Sequence, residues 1–287
     1  MNLFDAKTIN DVNVCICQGN DVNEISDKRT PLYFACKEGL LEVVECLLKN
    51  GANPNPSDIF MYSPICIAAE QGYLEIIKKL LDAGFELNNT FGNNNPLYVA
   101  SIYGWMDIVD YLGPLSDQKN LDKSLQGACK KIQIDIVDKL IILGANINTT
   151  GDHTPFYFAC KNGSLPLIDK LIINGANIEQ SLSSGITSLM MACQNGHKDI
   201  VKRLLELGCN INSTDNDGNT ALMFACKYGH FEIAEILIND GCDVKCQNSN
   251  GKDALHYAKI KQNYEICKVI VSKYGYRRRR RSHRKNI

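Results

Sequence analysis

The 287-residue sequence lacks the features that direct a chain to a membrane or out of the cell. No stretch approaches the roughly 18 consecutive apolar residues that a membrane-spanning helix needs. The first residues carry no basic segment followed by an apolar run, which is the pattern of a secretory signal. We therefore expect an intracellular protein, cytoplasmic or nuclear, that is neither secreted nor inserted in a membrane.

Short motifs of enzymes and metal sites are also missing. The sequence has no GxSxG, HExxH, Walker A or GxGxxG motif, and no Cys-x-x-Cys pair or zinc-type Cys/His spacing among its 13 cysteines. Five cysteines follow an alanine, and the pairs ending at Cys160, Cys193 and Cys226 recur every 33 residues. A recurring Ala-Cys pair indicates a packed core position rather than a ligand cluster. We predict no catalytic, cofactor-binding or metal-binding residue, and no enzyme activity.

Net charge is close to zero, at −1, but the charges are unevenly distributed. The last eleven residues hold seven bases and no acid, and the remaining chain has 24 bases against 32 acids, about −8. The seven bases are Arg277, Arg278, Arg279, Arg280, Arg281, Arg284 and Lys285. The sequence thus predicts an acidic body followed by a basic tail.

A repeat of about 33 residues runs through the chain. Each unit contains a tripeptide such as Thr-Pro-Leu, and successive tripeptides are 33, 32, 28, 31, 33, 33 and 33 residues apart. Their middle residues are Pro31, Pro64, Pro96, Ser124, Pro155, Ser188, Ala221 and Ala254. In the seventh unit, Thr220 can cap a first helix, Gly229 can end it, and a second amphipathic helix follows over 231–238. Helices this short persist only when neighbouring units bury their apolar faces, so the repeat predicts a stacked solenoid.

The repeated signature resembles the ankyrin repeat family. Thr-Pro-Leu-Tyr-Phe-Ala-Cys at 30–36, Gly39, Leu47-Leu48 and Gly51-Ala52-Asn53 are similar to its T-P-L-H-x-A and L-L-x-x-G-A motifs. The resemblance covers about residues 19–275. It implies an all-α ankyrin-repeat solenoid, in which antiparallel helix pairs are joined by projecting β-hairpin fingers. It also implies a concave binding face made of fingertips and first helices. Because packed helices lie about 8–10 Å apart, we expect the stacked cysteines to remain thiols.

We divide the chain into a solenoid, 1–275, of about eight repeats plus an N-terminal half-repeat, and a disordered basic tail, 276–287. Within the solenoid, 1–23 is an N-terminal cap, 253–275 is a C-terminal cap repeat, and the junction near 112–132 is irregular. There, Pro114 stops a second helix early, the next finger lacks its glycine turn, and Ile132 replaces a glycine. This junction is either a degenerate repeat or a change in curvature that shapes the binding groove.

Histidines at three repeat positions are predicted to be structural. His197 and His230 follow the glycine between the two helices, and His256 occupies the histidine position of T-P-L-H. The family resemblance implies that histidines at these positions hydrogen-bond to the backbone. We therefore assign no catalytic role to them.

Candidate partner-binding residues fall into an aromatic group and a polar group. Exposed apolar residues tend to mark interaction sites, and Trp and Tyr are enriched at binding hot spots. The aromatic group is Ile59, Phe60, Met61, Tyr62, Phe91, Ile102, Tyr103 and Trp105. The polar group is Lys161, Asn162, Gln194, Asn195, Asn216, Asp217, Asn219, Lys227 and Tyr228. The alternative for the aromatic group is that its members pack on each other or fill the gap beside the irregular third unit.

These features predict a monomeric scaffold or adaptor that binds another protein. The alternative is a nuclear or nucleic-acid-associated factor that uses the basic tail. The tail itself could be a solvated charge run, a signal for an import receptor, a weak and nonspecific nucleic-acid contact, or a patch for an acidic partner. It could also dock on the acidic body of its own chain.

Overall fold

Capping residues and glycines divide the chain into short helices. In the computed structural model, residues 2–55, 63–88, 95–151 and 153–283 are described, with side chains as far as Lys273. Thr30, Thr154 and Thr220 each accept a hydrogen bond from the backbone N–H three residues later, at 3.1–3.3 Å. At the other end, glycines such as Gly229 adopt the left-handed conformation that stops a helix, here with φ +86°.

Eight helix pairs result, each with a first and a second helix. The first helices are α2 (Pro31–Lys37), α4 (Pro64–Gln71), α6 (Pro96–Tyr103), α8 (Gln118–Lys131), α10 (Pro155–Asn162), α12 (Ser188–Asn195), α14 (Ala221–Tyr228) and α16 (Ala254–Ile260). The second helices are α3 (Leu41–Lys49), α5 (Leu74–Asp82), α7 (Met106–Leu112), α9 (Ile134–Ile142), α11 (Leu165–Ile173), α13 (Lys198–Glu206), α15 (Phe231–Asn239) and α17 (Tyr264–His283). The predicted all-α repeat fold is confirmed.

The pairs are preceded by half a repeat. A 3-10 helix, η1 (Leu3–Asp5), is followed by α1 (Ile9–Cys17), which begins with a capping box between Thr8 and Asp11. α1 packs against α3, as second helices do, and buries Val12 and Cys15. The N-terminal segment therefore covers the apolar side of the first full repeat.

The connections between repeats form fingers with little sheet structure. Within the described part of the chain, the only bridges of β type are isolated ones, at Ser26–Arg29 and Thr214–Thr220. In the second of these, the Asp215 N–H donates to the Asn219 carbonyl at 3.0 Å, and Gly218 N–H donates back to the Asp215 carbonyl at 2.9 Å. The fingers are thus tight turns held by local hydrogen bonds.

Five first helices each bury an Ala-Cys pair in the core of their unit. The sulfurs of Cys160, Cys193 and Cys226 are buried, and all 13 cysteines are free thiols, as the helix spacing predicts. Burial disfavours the charged thiolate, so it raises the pKa of Cys160 to about 12. The Ala-Cys pairs pack the core and are chemically inert at neutral pH.

The irregular junction folds differently from a finger. α7 ends at Leu112, and the 3-10 helix η2 (Gly113–Leu115) follows, so the predicted early stop is confirmed. α8 then begins six residues before Ser124, the middle residue of its repeat tripeptide, and is 14 residues long. Asp117 caps it, and the Asp117 carboxylate accepts the Asn120 N–H at 2.8 Å. Ile132 ends α8 in the left-handed conformation, with φ +60°. A longer helix therefore replaces the missing finger.

The chain divides into two compact units, Met1–Asn146 and Ile147–Ile287. The first contains α1 to α9, and the second contains α10 to α17. α17 extends to His283, so the backbone of 276–283 is helical where a disordered tail was expected. Arginine is a good helix former and here continues an existing helix. Among the described residues, no helix is long and apolar enough to cross a bilayer.

Candidate functional site

The residue after each glycine between the two helices packs on the preceding repeat. In the N-terminal unit, Trp105 lies over Gly72, where a Cβ would come within 2.8 Å of the indole ring. The indole N–H donates to the Glu70 carbonyl at 2.9 Å. Gln133 lies in the same way near Gly104 and donates to the Ile102 carbonyl at 3.3 Å. This position therefore ties consecutive first helices together.

Histidine fills this position in the C-terminal unit. His197 donates from Nε2 to the Lys161 carbonyl at 2.8 Å, and His230 donates to the Gln194 carbonyl at 3.1 Å. The predicted structural role of these two histidines is confirmed. His256 differs from the expectation, because its Nε2 is buried and has no hydrogen-bond partner in the described residues. Its ring instead meets the neighbouring Tyr257 ring edge-on, at 5.7 Å between centroids.

The aromatic group is only partly described. Ile59, Phe60, Met61, Tyr62 and Phe91 lie outside the described residues. The three others lie where α6 ends: Ile102 is half-buried, Tyr103 is 52% exposed, and Trp105 is 38% exposed.

Tyr103 and Trp105 both contact Glu70 but leave different surfaces free. The Glu70 side chain hydrogen-bonds to the Tyr103 hydroxyl and raises the pKa of that phenol. The Trp105 indole N–H donates to the backbone carbonyl of Glu70, and the Trp105 ring packs on Gly72. Trp105 therefore packs on the preceding repeat, whereas Tyr103 has the larger exposed fraction.

In the C-terminal unit, the polar group divides between the ends of the first helices and one finger. One residue of each first helix lies two positions after the buried alanine and recurs every 33 residues. We call this set the first-helix ridge: Lys161, Gln194, Lys227 and Ile260. Lys161 and Lys227 are exposed, Gln194 is half-buried, and Ile260 is 62% exposed.

The residues next to the first-helix ridge differ in exposure and in the contacts that they make. Asn195 is exposed, but its amide donates to the Met191 carbonyl at 2.9 Å, one turn earlier in α12. Asn162 is half-buried at the end of α10. Tyr228 is 44% exposed, and the Lys227 ammonium lies 5.8 Å from the centre of its ring.

The predicted fingertip residues connect fingers to one another. The Asn216 amide donates to the Ser183 carbonyl at 2.9 Å, and the Asn219 side chain accepts a hydrogen bond from the Asn248 amide at 2.8 Å. Asp217 is exposed, and its carbonyl accepts the Ser249 N–H at 2.8 Å. Asn216 and Asn219 therefore hold adjacent fingers in register, and Asp217 presents its side chain to solvent.

Sequence reasoning overlooked residues that belong to these surfaces. Tyr73 packs over Gly39 in the same way as Trp105 over Gly72, and Ile260 occupies the ridge position of the last repeat. Tyr157 lies under the Lys161 ammonium, which is 5.7 Å from its ring centre. A position-by-position alignment of the repeats contains the signal for Tyr73 and Ile260. Within the described residues, no group of three or more His, Cys, Asp or Glu side chains could hold a metal ion.

Comparison with known proteins agrees with this architecture. The family model described as ankyrin repeats (3 copies) matches residues 6–91, 65–151, 124–215, 156–248 and 189–280. The ankyrin repeat and SOCS box protein 9 of Mus musculus is 33% identical over 96 residues, which cover 32% of this chain and 33% of that protein. The chain thus spans about one third of the length of the curated relative it matches. Since the family matches extend over nearly the whole sequence, the chain belongs to the ankyrin repeat family.

Proposed function

We propose that this protein is a scaffold or adaptor that binds a partner protein through the face formed by its fingers and first helices. Ankyrin repeats generally mediate protein–protein interaction and are typically non-enzymatic. The observation that carries the proposal is that exposed side chains stand at the ends of first helices in each unit. Tyr103 does so in the N-terminal unit, and Lys161, Lys227 and Tyr228 do so in the C-terminal unit, on helices whose other residues are mostly buried.

The supporting framework is rigid at this face. The carbonyls of Glu70, Lys161 and Gln194 are each held by a side chain of the next repeat. Because these helix ends are fixed before a partner arrives, binding needs little ordering of the chain. The proposal includes a monomeric protein without catalytic, cofactor or metal residues.

The test is capture of a partner from native lysate, followed by mass spectrometry, with three forms of the full chain. The first is the wild type, and the second is Phe60→Ser/Tyr62→Ser with Tyr228→Ser. The third is a control, Ile173→Ser, which changes an isoleucine that is 84% exposed at the end of a second helix. We expect the triple variant to lose proteins that the other two retain, with an unchanged circular dichroism spectrum.

Two results would contradict the proposal. One is a set of captured proteins that Ile173→Ser loses and the triple variant keeps, which would place binding on the second helices. The other is unfolding of Phe60→Ser/Tyr62→Ser alone, which would identify these two residues as core.

A separate role is proposed for the basic tail. Its seven bases follow a body of about −8, so an import receptor or a nucleic-acid strand would be attracted to the tail and repelled by the body. Binding of a DNA oligonucleotide, titrated with salt, should be weak and should disappear when residues 277–287 are removed. Binding that is unaffected by the removal would exclude the tail as its source.

A further inference from the structure

We propose that the first-helix ridge of the C-terminal unit binds an extended acidic segment of the partner protein. This inference rests on the proposed function and assigns the chemistry of the partner. The inference starts from how charge is distributed between first and second helices. The net negative charge of the body does not reveal this distribution.

Charges in the C-terminal unit are segregated by helix type. The first helices α10, α12, α14 and α16 contain three lysines and no acid. The second helices α11, α13 and α15 contain five acids and four bases. The exposed ends of these first helices are therefore basic, whereas the two signs nearly balance on α11, α13 and α15.

The ridge lysines are available to a ligand. Lys161 and Lys227 form no ion pair with a carboxylate of the described residues. By contrast, two cations of the second helix α13 are paired: Lys198 with Glu232, and Arg203 with Asp169 at 2.9 Å. An anion that approaches the ridge therefore meets two lysines that no carboxylate of the described residues compensates.

Aromatic rings support both ridge lysines. The Lys161 ammonium lies 5.7 Å from the centre of the Tyr157 ring, and the Lys227 ammonium lies 5.8 Å from that of Tyr228. These cation–π contacts favour a conformation in which each ammonium stays near its ring. The two charges thus lose less conformational freedom when they bind carboxylates.

The acids of the adjacent finger do not cancel this charge at the helices. The Asp215 carboxylate accepts hydrogen bonds from the Asp217 N–H at 3.0 Å and from the Asn219 N–H at 2.7 Å. It also accepts the Asn219 amide at 3.0 Å, so it is engaged within its own finger. Asp217 is exposed at the fingertip and would repel an acidic chain there. The acidic segment therefore lies along the helix ends rather than along the fingertips.

Repeat geometry sets the spacing of the acids. Lys161 and Lys227 are two repeats apart, or about 16–20 Å if each stacked helix adds about 8–10 Å. An extended chain advances about 3.3 Å per residue, so two acids about five or six residues apart would reach both lysines. Gln194 lies between them and can hydrogen-bond to the peptide backbone. Ile260 continues the ridge, so an apolar residue about three positions beyond the acid at Lys227 completes the predicted motif.

A peptide fits these observations better than a nucleic acid. Nucleic-acid grooves present a continuous run of cations, because phosphates are closely spaced along a strand. The ridge offers two lysines separated by a half-buried glutamine and ends on an exposed isoleucine. This alternation of charge, amide and apolar side chain matches a polypeptide of mixed composition.

The test is selection of peptides from a random 15-residue phage library on the full chain, followed by fluorescence polarisation with the selected peptides. Lys161→Glu/Lys227→Glu removes the proposed charges. Lys202→Glu/Lys273→Glu is the matched control, since it makes the same change in net charge at two exposed lysines of α13 and α17. Circular dichroism melting verifies that both variants fold. Both retain the basic tail, so peptides that bind the tail do not distinguish them.

We expect the wild-type chain to select peptides with two acids about five or six residues apart. Their affinity should fall by at least about tenfold in Lys161→Glu/Lys227→Glu and by less than about twofold in the control. Selected peptides without acidic residues that lose affinity in Tyr228→Ser would overturn the acidic assignment and leave the proposed function intact. Acidic peptides that bind both charge variants equally would show that their site lies elsewhere, and would contradict binding at the ridge.

Two further outcomes are decisive. Peptides that bind Lys161→Glu/Lys227→Glu as tightly as the wild type, and also bind Phe60→Ser/Tyr62→Ser with Tyr228→Ser as tightly, would contradict binding at the ridge. They would contradict the proposed function too. A single-stranded RNA oligonucleotide that binds the wild type and the control but not Lys161→Glu/Lys227→Glu would identify a nucleic acid as the occupant, and would overturn the acidic peptide.

Discussion

At one equivalent position of several repeats, different residue types make the same hydrogen bond. After the glycine between the helices, Trp105, His197 and His230 all place an N–H on a carbonyl of the preceding first helix, at 2.8–3.1 Å. The accepting residues Glu70, Lys161 and Gln194 are themselves equivalent. The same bond is therefore made by an indole or an imidazole.

This equivalence predicts how Trp105 can be replaced. Trp105→Ala should lower the free energy of unfolding by about 2 kcal/mol, less than for a fully buried tryptophan, because the ring is 38% exposed. Trp105→His should recover about half of the loss, since imidazole restores the hydrogen bond to the Glu70 carbonyl. Urea unfolding measures both losses. It should be followed by far-UV circular dichroism rather than by tryptophan fluorescence, because both variants lack the only tryptophan. Equal losses in the two variants would contradict a structural role for the N–H.

A second residue-scale prediction concerns the backbone of Ile132. Its φ of +60° is strained for a β-branched residue, and the same position in other repeats is occupied by glycines such as Gly163, with φ +74°. Ile132→Gly should raise the free energy of unfolding by about 1 kcal/mol, because glycine adopts this conformation without the clash. Ile132→Ala is the control and should give no gain, since alanine keeps its Cβ. Destabilisation by the glycine would mean that the isoleucine side chain contributes more packing than its backbone costs.

At the scale of elements, α8 shows how a degenerate repeat keeps its place in the stack. It begins early, under the cap of Asp117, and it approaches α6 closely at Gly127. A Cβ at Gly127 would come within 2.7 Å of the Tyr98 ring and 3.2 Å of Ile102 Cγ1. The absence of a side chain therefore sets the distance between these two helices.

Gly127→Ala should consequently destabilise the protein, although alanine favours helices by about 1 kcal/mol over glycine. Overpacking against the Tyr98 ring should outweigh that gain and leave a net loss of about 1–2 kcal/mol. Lys131→Ala, on the exposed end of the same helix, should change the free energy of unfolding by less than about 0.5 kcal/mol. A thermal denaturation series would measure both, and a stabilised Gly127→Ala would refute the close approach of α6 and α8.

At the scale of the whole molecule, the stacked thiols couple stability to alkaline pH. Burial raises the pKa of Cys160 and of Cys242 to about 12 and that of Cys209 to about 11, against 9.0 for a free thiol. In the unfolded chain these thiols lose their protons near pH 9, whereas the folded chain retains them. The stabilisation is therefore complete below pH 9 and decreases as the pH rises from 9 towards 12.

Each buried thiol should contribute about 1.4 kcal/mol per pH unit to this decrease above pH 9. Denaturant unfolding between pH 8 and pH 10 should show the free energy of unfolding falling, with a smaller slope in Cys160→Ala. Cys17→Ala is the matched control, because Cys17 is exposed, and its slope should equal that of the wild type. An unchanged slope in Cys160→Ala would show that its thiol ionises in the folded chain.

Much of the fold could be read from the sequence because its signals are local. Thr220 caps α14, Gly229 ends it, and the apolar residues of α15 have helical spacing, all within 20 residues. The irregular junction was only half predicted. Pro114 indicated the early stop of α7, but the start of α8 at Gln118 depends on the cap at Asp117 and on packing against α6.

The sequence by itself determined the repeat, its helix pairs and the inert thiols, because each rests on capping, periodicity or spacing within a single unit. Only the tertiary structure decided which exposed-looking residues are committed to neighbouring repeats. It showed that the Trp105 ring covers Gly72 and its N–H binds the Glu70 carbonyl, whereas Tyr103 stays half exposed and contacts Glu70 through its hydroxyl. It also showed that Lys161 and Lys227 are exposed at the ends of their first helices. The physical reason is that these properties arise between residues about 33 positions apart, which stacking brings together.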